Sequence, residues 1–326
     1  MTTALASNVI TAFTPAQPER NTAAMEAQPL RRALRATVTL ANGQRVQARG
    51  QILGPQGAPA YIVLGGVSAN DQLCPCFDDT GWWPGIAGIG KALCPNAYQL
   101  LSVCFLGEEV RPFPTLDDQA QAIMALADQA GLDTFGLIGA SYGGTIAMTI
   151  AAHHPERVTA LKVLSAAARP HPMITAWRSI QRETVKMARD LGAPEQGVDL
   201  ARRLAMTTYR TPDEFKERFL DPKPGSRDEA GIEAYLEARG KAYAQKTSAE
   251  RFLALSYSMD SANVAVERIT APTQFFAVDE DRLAPPEDIA DTAARMAHAR
   301  ITRHSSLYGH DAFLKDIEAV TRFLTE

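Results

Sequence analysis

Gly139-Ala140-Ser141-Tyr142-Gly143 follows the apolar run Phe135, Leu137 and Ile138 and precedes a helix-like stretch from Thr145 to Ala152. A serine hydroxyl is a weak nucleophile. Chemistry needs it on a sharp strand-to-helix turn, exposed to a base, with small neighbours that let the backbone pack closely. Gly139, Gly143 and Gly144 supply those small positions. A glycine-rich turn with an incidental serine has the same local pattern, so the assignment depends on a carboxylate and a histidine following downstream in that order.

Both signals are present, each after a strand-like run. Thr273 to Val278 ends in Asp279-Glu280-Asp281-Arg282-Leu283, which puts a carboxylate at the carboxyl end of a buried strand, where open α/β sheets build their sites. Asp281 is the expected acid. Asp279 shares its facing by period-2 alternation and reads as a loop-capping residue. After a short strand over Ala299–Arg303, Leu307-Tyr308-Gly309-His310-Asp311 delivers a histidine from a glycine turn just before the last helix. His310 is the expected base. His153 and His154 sit at a helix end before Pro155, where positive charge suits the dipole; His171 lies in a Pro-rich stretch, and His298 and His304 flank the final strand as surface residues.

The elements that must position these groups follow from periodicity. Two strand-like runs, Leu34 to Leu40 and Gln44 to Leu53, joined by Ala41-Asn42-Gly43, predict a hairpin. Ala60 to Leu64, Tyr98 to Phe105, Thr134 to Gly139 and Val158 to Ser165 then alternate with helical segments such as Asp118 to Ala130, giving a mainly parallel sheet. The first of these parallel strands ends in Gly65-Gly66-Val67-Ser68, a loop of little bulk suited to lending an oxyanion-hole amide; the amide of Tyr142 would be the second. From Pro170 to about Asn263 helical periodicity with charged faces takes over. The expected organisation is therefore a tail over 1–30, an α/β core over 31–169 and 265–326, and an inserted helical lid over 170–264.

A chain of 326 residues with 46% hydrophobic content can bury a full core. Its net charge of −4 lacks the basic excess of a nucleic-acid binder, and no long apolar span suits a bilayer. A small-molecule substrate is expected. Met1 to Gln28 lacks a basic segment followed by an apolar stretch and reads as a disordered tail rather than a secretory signal. Four cysteines make no disulfide scaffold, which points to the cytoplasm. Cys74 and Cys76 have no further Cys or His cluster to complete a metal site, so no metal is expected.

The chain resembles the homoserine O-acyltransferases of the α/β-hydrolase superfamily from about Ala60 to its end. The resemblance is carried by Gly81-Trp82-Trp83 with Gly88-Ile89-Gly90-Lys91-Ala92, by Gly139 to Gly144, Pro155-Glu156-Arg157-Val158, His171-Pro172 through Gln181-Arg182, and Thr207 to Arg210. Asp281-Arg282-Leu283 and Tyr308 to Leu314 complete it. It implies an α/β-hydrolase fold and acylation of homoserine, or serine, from acetyl-CoA or succinyl-CoA as co-substrate, with no bound cofactor. Ser141 would be the acylated nucleophile, His310 the base and acid, and Asp281 its orienter. The amides of Val67 and Tyr142 would face the oxyanion, Arg182 would hold the acceptor carboxylate and Asp311 its ammonium. A succinyl donor would need a further cation, for which Arg178 and Arg210 are candidates. The resemblance also suggests a homodimer.

Three stretches depart from the family pattern and bear on donor and acceptor identity. Gly65-Gly66-Val67-Ser68-Ala69 stands where the family carries His-Ala-Leu-Thr-Gly, Phe105 to Glu109 replaces a glycine-rich turn, and Ser258 to Asn263 lacks a histidine. An esterase or thioesterase with the same triad is the alternative. A non-enzymatic binding protein is disfavoured by three chemically competent triad positions.

Overall fold

The computed structural model describes residues 30–76 and 79–326; the expected tail lies outside them apart from Leu30. Eight strands form one sheet: β1 (Arg31–Thr39), β2 (Arg45–Leu53), β3 (Ala60–Leu64), β4 (Gln99–Cys104), β5 (Phe135–Ala140), β6 (Val158–Leu164), β7 (Thr273–Val278) and β8 (Ala299–His304). They lie in the order β1-β2-β4-β3-β5-β6-β7-β8. The hairpin pairs antiparallel and β2 meets β4 antiparallel, while every pairing from β4 to β8 is parallel.

Burial follows from that order. In β2 exposed and buried residues largely alternate, because one face meets solvent, whereas all six residues of β5 are buried, since helices cover both faces of a central parallel strand. Ile62, Leu64 and Leu137 contribute to one core, and Val63 and Ile138 to the other, on the far side of the sheet. The first core includes α1 (Leu116–Ala130) and α2 (Tyr142–His153); the second includes Trp83, Phe313 and α10 (Ile317–Thr325). A capping box starts α1: the Thr115 hydroxyl accepts from Asp118 N at 3.1 Å while Asp118 accepts from Thr115 N at 2.9 Å, an arrangement worth about 1 kcal/mol. Edge strand β8 is largely exposed and carries Arg300 and Arg303, charges that discourage pairing with another chain.

Five helices come between β6 and β7: α3 (Pro172–Asp190), α4 (Pro194–Tyr209), α5 (Pro212–Phe219), α6 (Gly231–Ala244) and α7 (Ala249–Asp260). Three begin on proline, whose fixed φ suits a first helical position where no N–H partner is needed. Val185, Val198, Ala201 and Phe252 give this insertion a small core of its own. The chain then returns through β7, α8 (Pro286–Ala294), β8 and the short α9 (Ala312–Lys315) to α10. Strand and helix limits differ from the periodicity reading by a few residues, as helix caps and hairpin ends do when neighbouring side chains decide them.

Candidate active site

The site lies beyond the carboxyl ends of the parallel strands, where loops are free of the sheet. Ser141 joins β5 to α2 with φ 54° and ψ −124°, a left-handed conformation unusual for a residue with a side chain. The turn is held by its surroundings. Gly143 donates to the Gly65 carbonyl at 3.0 Å, and a Cβ at Gly143 would lie 2.4 Å from the Leu64 carbonyl oxygen, so no larger residue fits. At Gly65 a Cβ would come within 2.9 Å of the Trp82 ring.

His310 arrives on a 3₁₀ turn after β8 and is 6% exposed. Its Nε2 lies 2.8 Å from Ser141 Oγ, and its Nδ1 lies 2.8 Å and 3.0 Å from the two carboxylate oxygens of Asp281. With Nδ1–H donated to the carboxylate, Nε2 is the lone-pair nitrogen that can take the serine proton. Asp281 is fixed in turn, because its Oδ1 also accepts from Leu283 N at 2.8 Å and Ala284 N at 3.0 Å. Asp279 points elsewhere and pairs with the Arg303 guanidinium at 2.7 Å. Of the remaining histidines, His171 caps α3 by accepting from Met173 N, and His304 is half-buried against Asp316 rather than free on the surface.

Burial alone disfavours the charged imidazole, but the Asp281 carboxylate, its hydrogen bond and the Asp311 charge outweigh it and hold His310 above its ordinary value of 6.5. A base must be neutral to act. The rate of acyl-enzyme formation should therefore climb with pH through a midpoint above 6.5, read from the pH dependence of the burst of thiol release. A midpoint below 6.5 would mean that burial dominates.

Neither the Val67 amide nor the Tyr142 amide has a protein acceptor among the described residues, in contrast to Gly143. Tyr142 opens α2, so its N–H is one that the helix cannot satisfy internally. The Tyr142 phenol is buried, lying 3.1 Å from Gln119 Nε2 and 2.7 Å from Ser258 Oγ on α7; burial pushes its pKa up to about 12 against the effect of those bonds.

Two cavities meet at the nucleophile. Val67, Ser141, Arg202, Tyr209 and His310 line both. One extends to Arg178, Gln181 and Ser165 under the helical insertion; the other extends to Trp82, Asp311 and Phe313. Asp311 therefore stands on the wall beside the base, where it receives Arg210 Nη2 at 3.2 Å; Glu214, 2% exposed, holds Arg210 from behind.

Arg182 does not line either cavity. Its Nη1 donates to Ser256 Oγ at 3.0 Å and to the Asp260 carboxylate, and its guanidinium lies 4.6 Å from the centre of the Tyr257 ring. The arginine on the shared wall is Arg202, which stacks on Tyr209 and Tyr243 at 5.1 Å and 4.6 Å and has no carboxylate partner among the described residues. A sequence signal for it existed. Asp199 lies four residues before Arg203 and pairs with it at 2.6 Å, leaving Arg202 free, and Arg202 and Tyr209 share a helix face at a spacing of two turns. No group of three or more His, Cys, Asp or Glu able to hold a metal occurs among the described residues.

A hydroxyl on a strained strand-to-helix turn, an imidazole poised to deprotonate it and a buried carboxylate behind that imidazole define a serine-nucleophile enzyme of the α/β-hydrolase class. Residues 113–310 match the family described as serine aminopeptidase, S33. A homoserine O-succinyltransferase from Xanthomonas campestris is 37% identical over 87% of this chain and 79% of its own length, and a homoserine O-acetyltransferase from Thermus thermophilus is 33% identical over 76% and 72%. The chain belongs to the homoserine O-acyltransferase family. Its fold is also that of the solved homoserine O-acetyltransferase from Staphylococcus aureus (TM-score 0.78, 22% identity, 91% of this chain and 94% of that one). Esterase E22 has the same fold at 18% identity and a TM-score of 0.78, over 91% and 100% of the two chains.

Proposed function

We propose that this protein transfers an acyl group from an acyl-CoA thioester to the side-chain hydroxyl of homoserine through an ester on Ser141. His310 takes the Ser141 proton as Oγ attacks the thioester carbonyl. The oxyanion is received by the amides of Val67 and Tyr142, a contribution of about 3 kcal/mol per donor in comparable sites. The proton passes to the departing thiolate, and CoA leaves. His310 next deprotonates the acceptor hydroxyl, which attacks the acyl-Ser141 carbonyl; the proton returns to Ser141 Oγ as the ester is released. Water is the competing acceptor, so a bound amino acid must win by position.

The observation that carries the acceptor half is the presence of Arg202, which has no carboxylate partner among the described residues, and of Asp311 on the wall of one cavity around Ser141. A free amino acid presents a carboxylate and an ammonium a few ångströms apart, and a planar guanidinium holds a carboxylate through two parallel bonds. Arg202 takes the carboxylate role expected of Arg182, whose guanidinium is already engaged by Asp260 and Ser256. Homoserine is preferred to serine on the family relationship; a cytoplasmic homodimer accompanies the same reading.

Arg202→Met should raise the KM for homoserine by about 10- to 100-fold, the loss of a charge-assisted bond. Thiol release in the absence of acceptor should survive. Arg182→Met should act more weakly on that KM. If Arg182→Met is the more damaging and Arg202→Met has ordinary acceptor kinetics, the carboxylate is held by Arg182. If added homoserine never accelerates thioester turnover, the enzyme is a hydrolase.

A further inference from the structure

Arg210 sits between α4 and α5 and lines neither cavity at the nucleophile. Its guanidinium bridges two carboxylates: Nη1 donates to Glu214 Oε1, and Nη2 lies 3.2 Å from Asp311 Oδ2. Glu214 is gripped from two further sides, with Lys315 Nζ at 2.9 Å and Arg218 Nη1 at 3.4 Å from the same oxygen. Arg218 is paired in turn with Asp228 at 2.6 Å. Three cations thus meet three carboxylates, and of these six residues Asp311 alone lines a cavity at the nucleophile. Stability does not account for the cluster. Buried ion clusters gain little over apolar side chains of similar volume, and here Arg210 Nε and Glu214 Oε2 are buried with no hydrogen-bond partner among the described residues.

What the cluster does supply is placement. The junction between α4 and α5 grips the segment that delivers the base at two points: Thr211 Oγ1 donates to the Leu307 carbonyl at 2.5 Å, and Arg210 reaches Asp311, the residue after His310. Gly309 packs against the same junction, where a Cβ would lie 3.2 Å from Thr211 Cγ2 and 3.3 Å from the Tyr209 carbonyl oxygen. Arg210 is the one ion-pair partner of Asp311 among the described residues. Because Nη1 is committed to Glu214, the guanidinium offsets the Asp311 charge only in part. That charge is felt at His310, whose pKa it raises.

We propose that Arg210 is a positioning residue for the acceptor: by holding one oxygen of Asp311 it presents the other to the ammonium of homoserine. The proposal rests on the acyl-transfer reading above, with Asp311 as the ammonium ligand. Without Arg210 the Asp311 side chain is free to turn about two bonds, and the charge-assisted contact that orients the acceptor hydroxyl toward the acyl-Ser141 carbonyl loses its fixed end.

The test uses γ-hydroxybutyrate, which has the carboxylate and hydroxyl of homoserine at the same spacing but no ammonium. The ratio of kcat/KM for homoserine to that for γ-hydroxybutyrate, with one acyl-CoA donor, reads the ammonium site and does not depend on the folded fraction of a preparation. Arg210→Met should lower the ratio by about 10-fold, while Glu214 keeps Lys315 and Arg218 as partners. Arg210→Lys should recover part of it. Asp311→Asn should lower the ratio at least as far, and the double variant should match Asp311→Asn, since Arg210 then has nothing left to position. A ratio unmoved by Arg210→Met but lowered by Asp311→Asn makes Arg210 a structural residue and overturns the proposal. A further drop in the double variant also overturns it, by showing that Arg210 acts apart from Asp311. A ratio unmoved by Asp311→Asn places the ammonium elsewhere and removes the proposal while acyl transfer stands. If acyl-Ser141 never passes its acyl group to homoserine, the acyl-transfer reading falls and takes the proposal with it.

Discussion

Ser141→Ala is expected to abolish acyl-enzyme formation. The variant should still fold, because the hydroxyl removed faces the cavity and its loss opens no void in either core. The left-handed backbone at this position is as costly for alanine as for serine, so its strain is unchanged by the substitution. Intact-mass measurement after mixing with an acyl-CoA should show an added acyl group on the wild-type chain and none on the variant, with an unchanged circular dichroism spectrum. A burst of thiol release that persists in Ser141→Ala would remove this residue from the chemistry.

Asp281→Asn should cost about four orders of magnitude in kcat, as the corresponding change does in other triads. Oδ1 of Asp281 already accepts from two backbone amides, so an asparagine oxygen settles there and its NH2 turns toward His310. That arrangement places the imidazole proton on Nε2, facing Ser141, where a lone pair is required. Loss of the carboxylate also removes the main influence that raises the His310 pKa and leaves burial in command, so residual activity should titrate at lower pH than in the wild type. Parallel pH profiles read both effects. A larger loss in Asp279→Asn than in Asp281→Asn would transfer the orienting role to Asp279.

The triad was legible because each member announces itself locally. Ser141 and His310 sit in short glycine-marked turns, and Asp281 follows a buried strand, so chain order and strand ends were enough to nominate them. Choosing Asp281 over Asp279 was harder, since alternation puts both on one side; the backbone amides of Leu283 and Ala284, which curl around Asp281, are a property of the turn rather than of the pattern. The arginines of the insertion were not legible to the same degree. Arg178, Arg182 and Arg202 all lie on amphipathic helices, and which of them meets the cavity depends on how α3, α4 and α7 rotate against one another. Asp260, which engages Arg182, is nearly eighty residues away in sequence, so local spacing carried no hint of that pairing.

The Tyr142 phenol ties the first residue after the nucleophile to α7 through Ser258 and to α1 through Gln119. Swinging the helical insertion outward would break the bond between Tyr142 and Ser258, while the bond from Gln119 to the same phenol lies within the core and would stay. The roof over the cavity is thus tied to the residue whose amide is proposed to receive the oxyanion. A shift of α7 would therefore be felt at Tyr142 itself, so that movement of the roof and the set of the turn after Ser141 are mechanically joined.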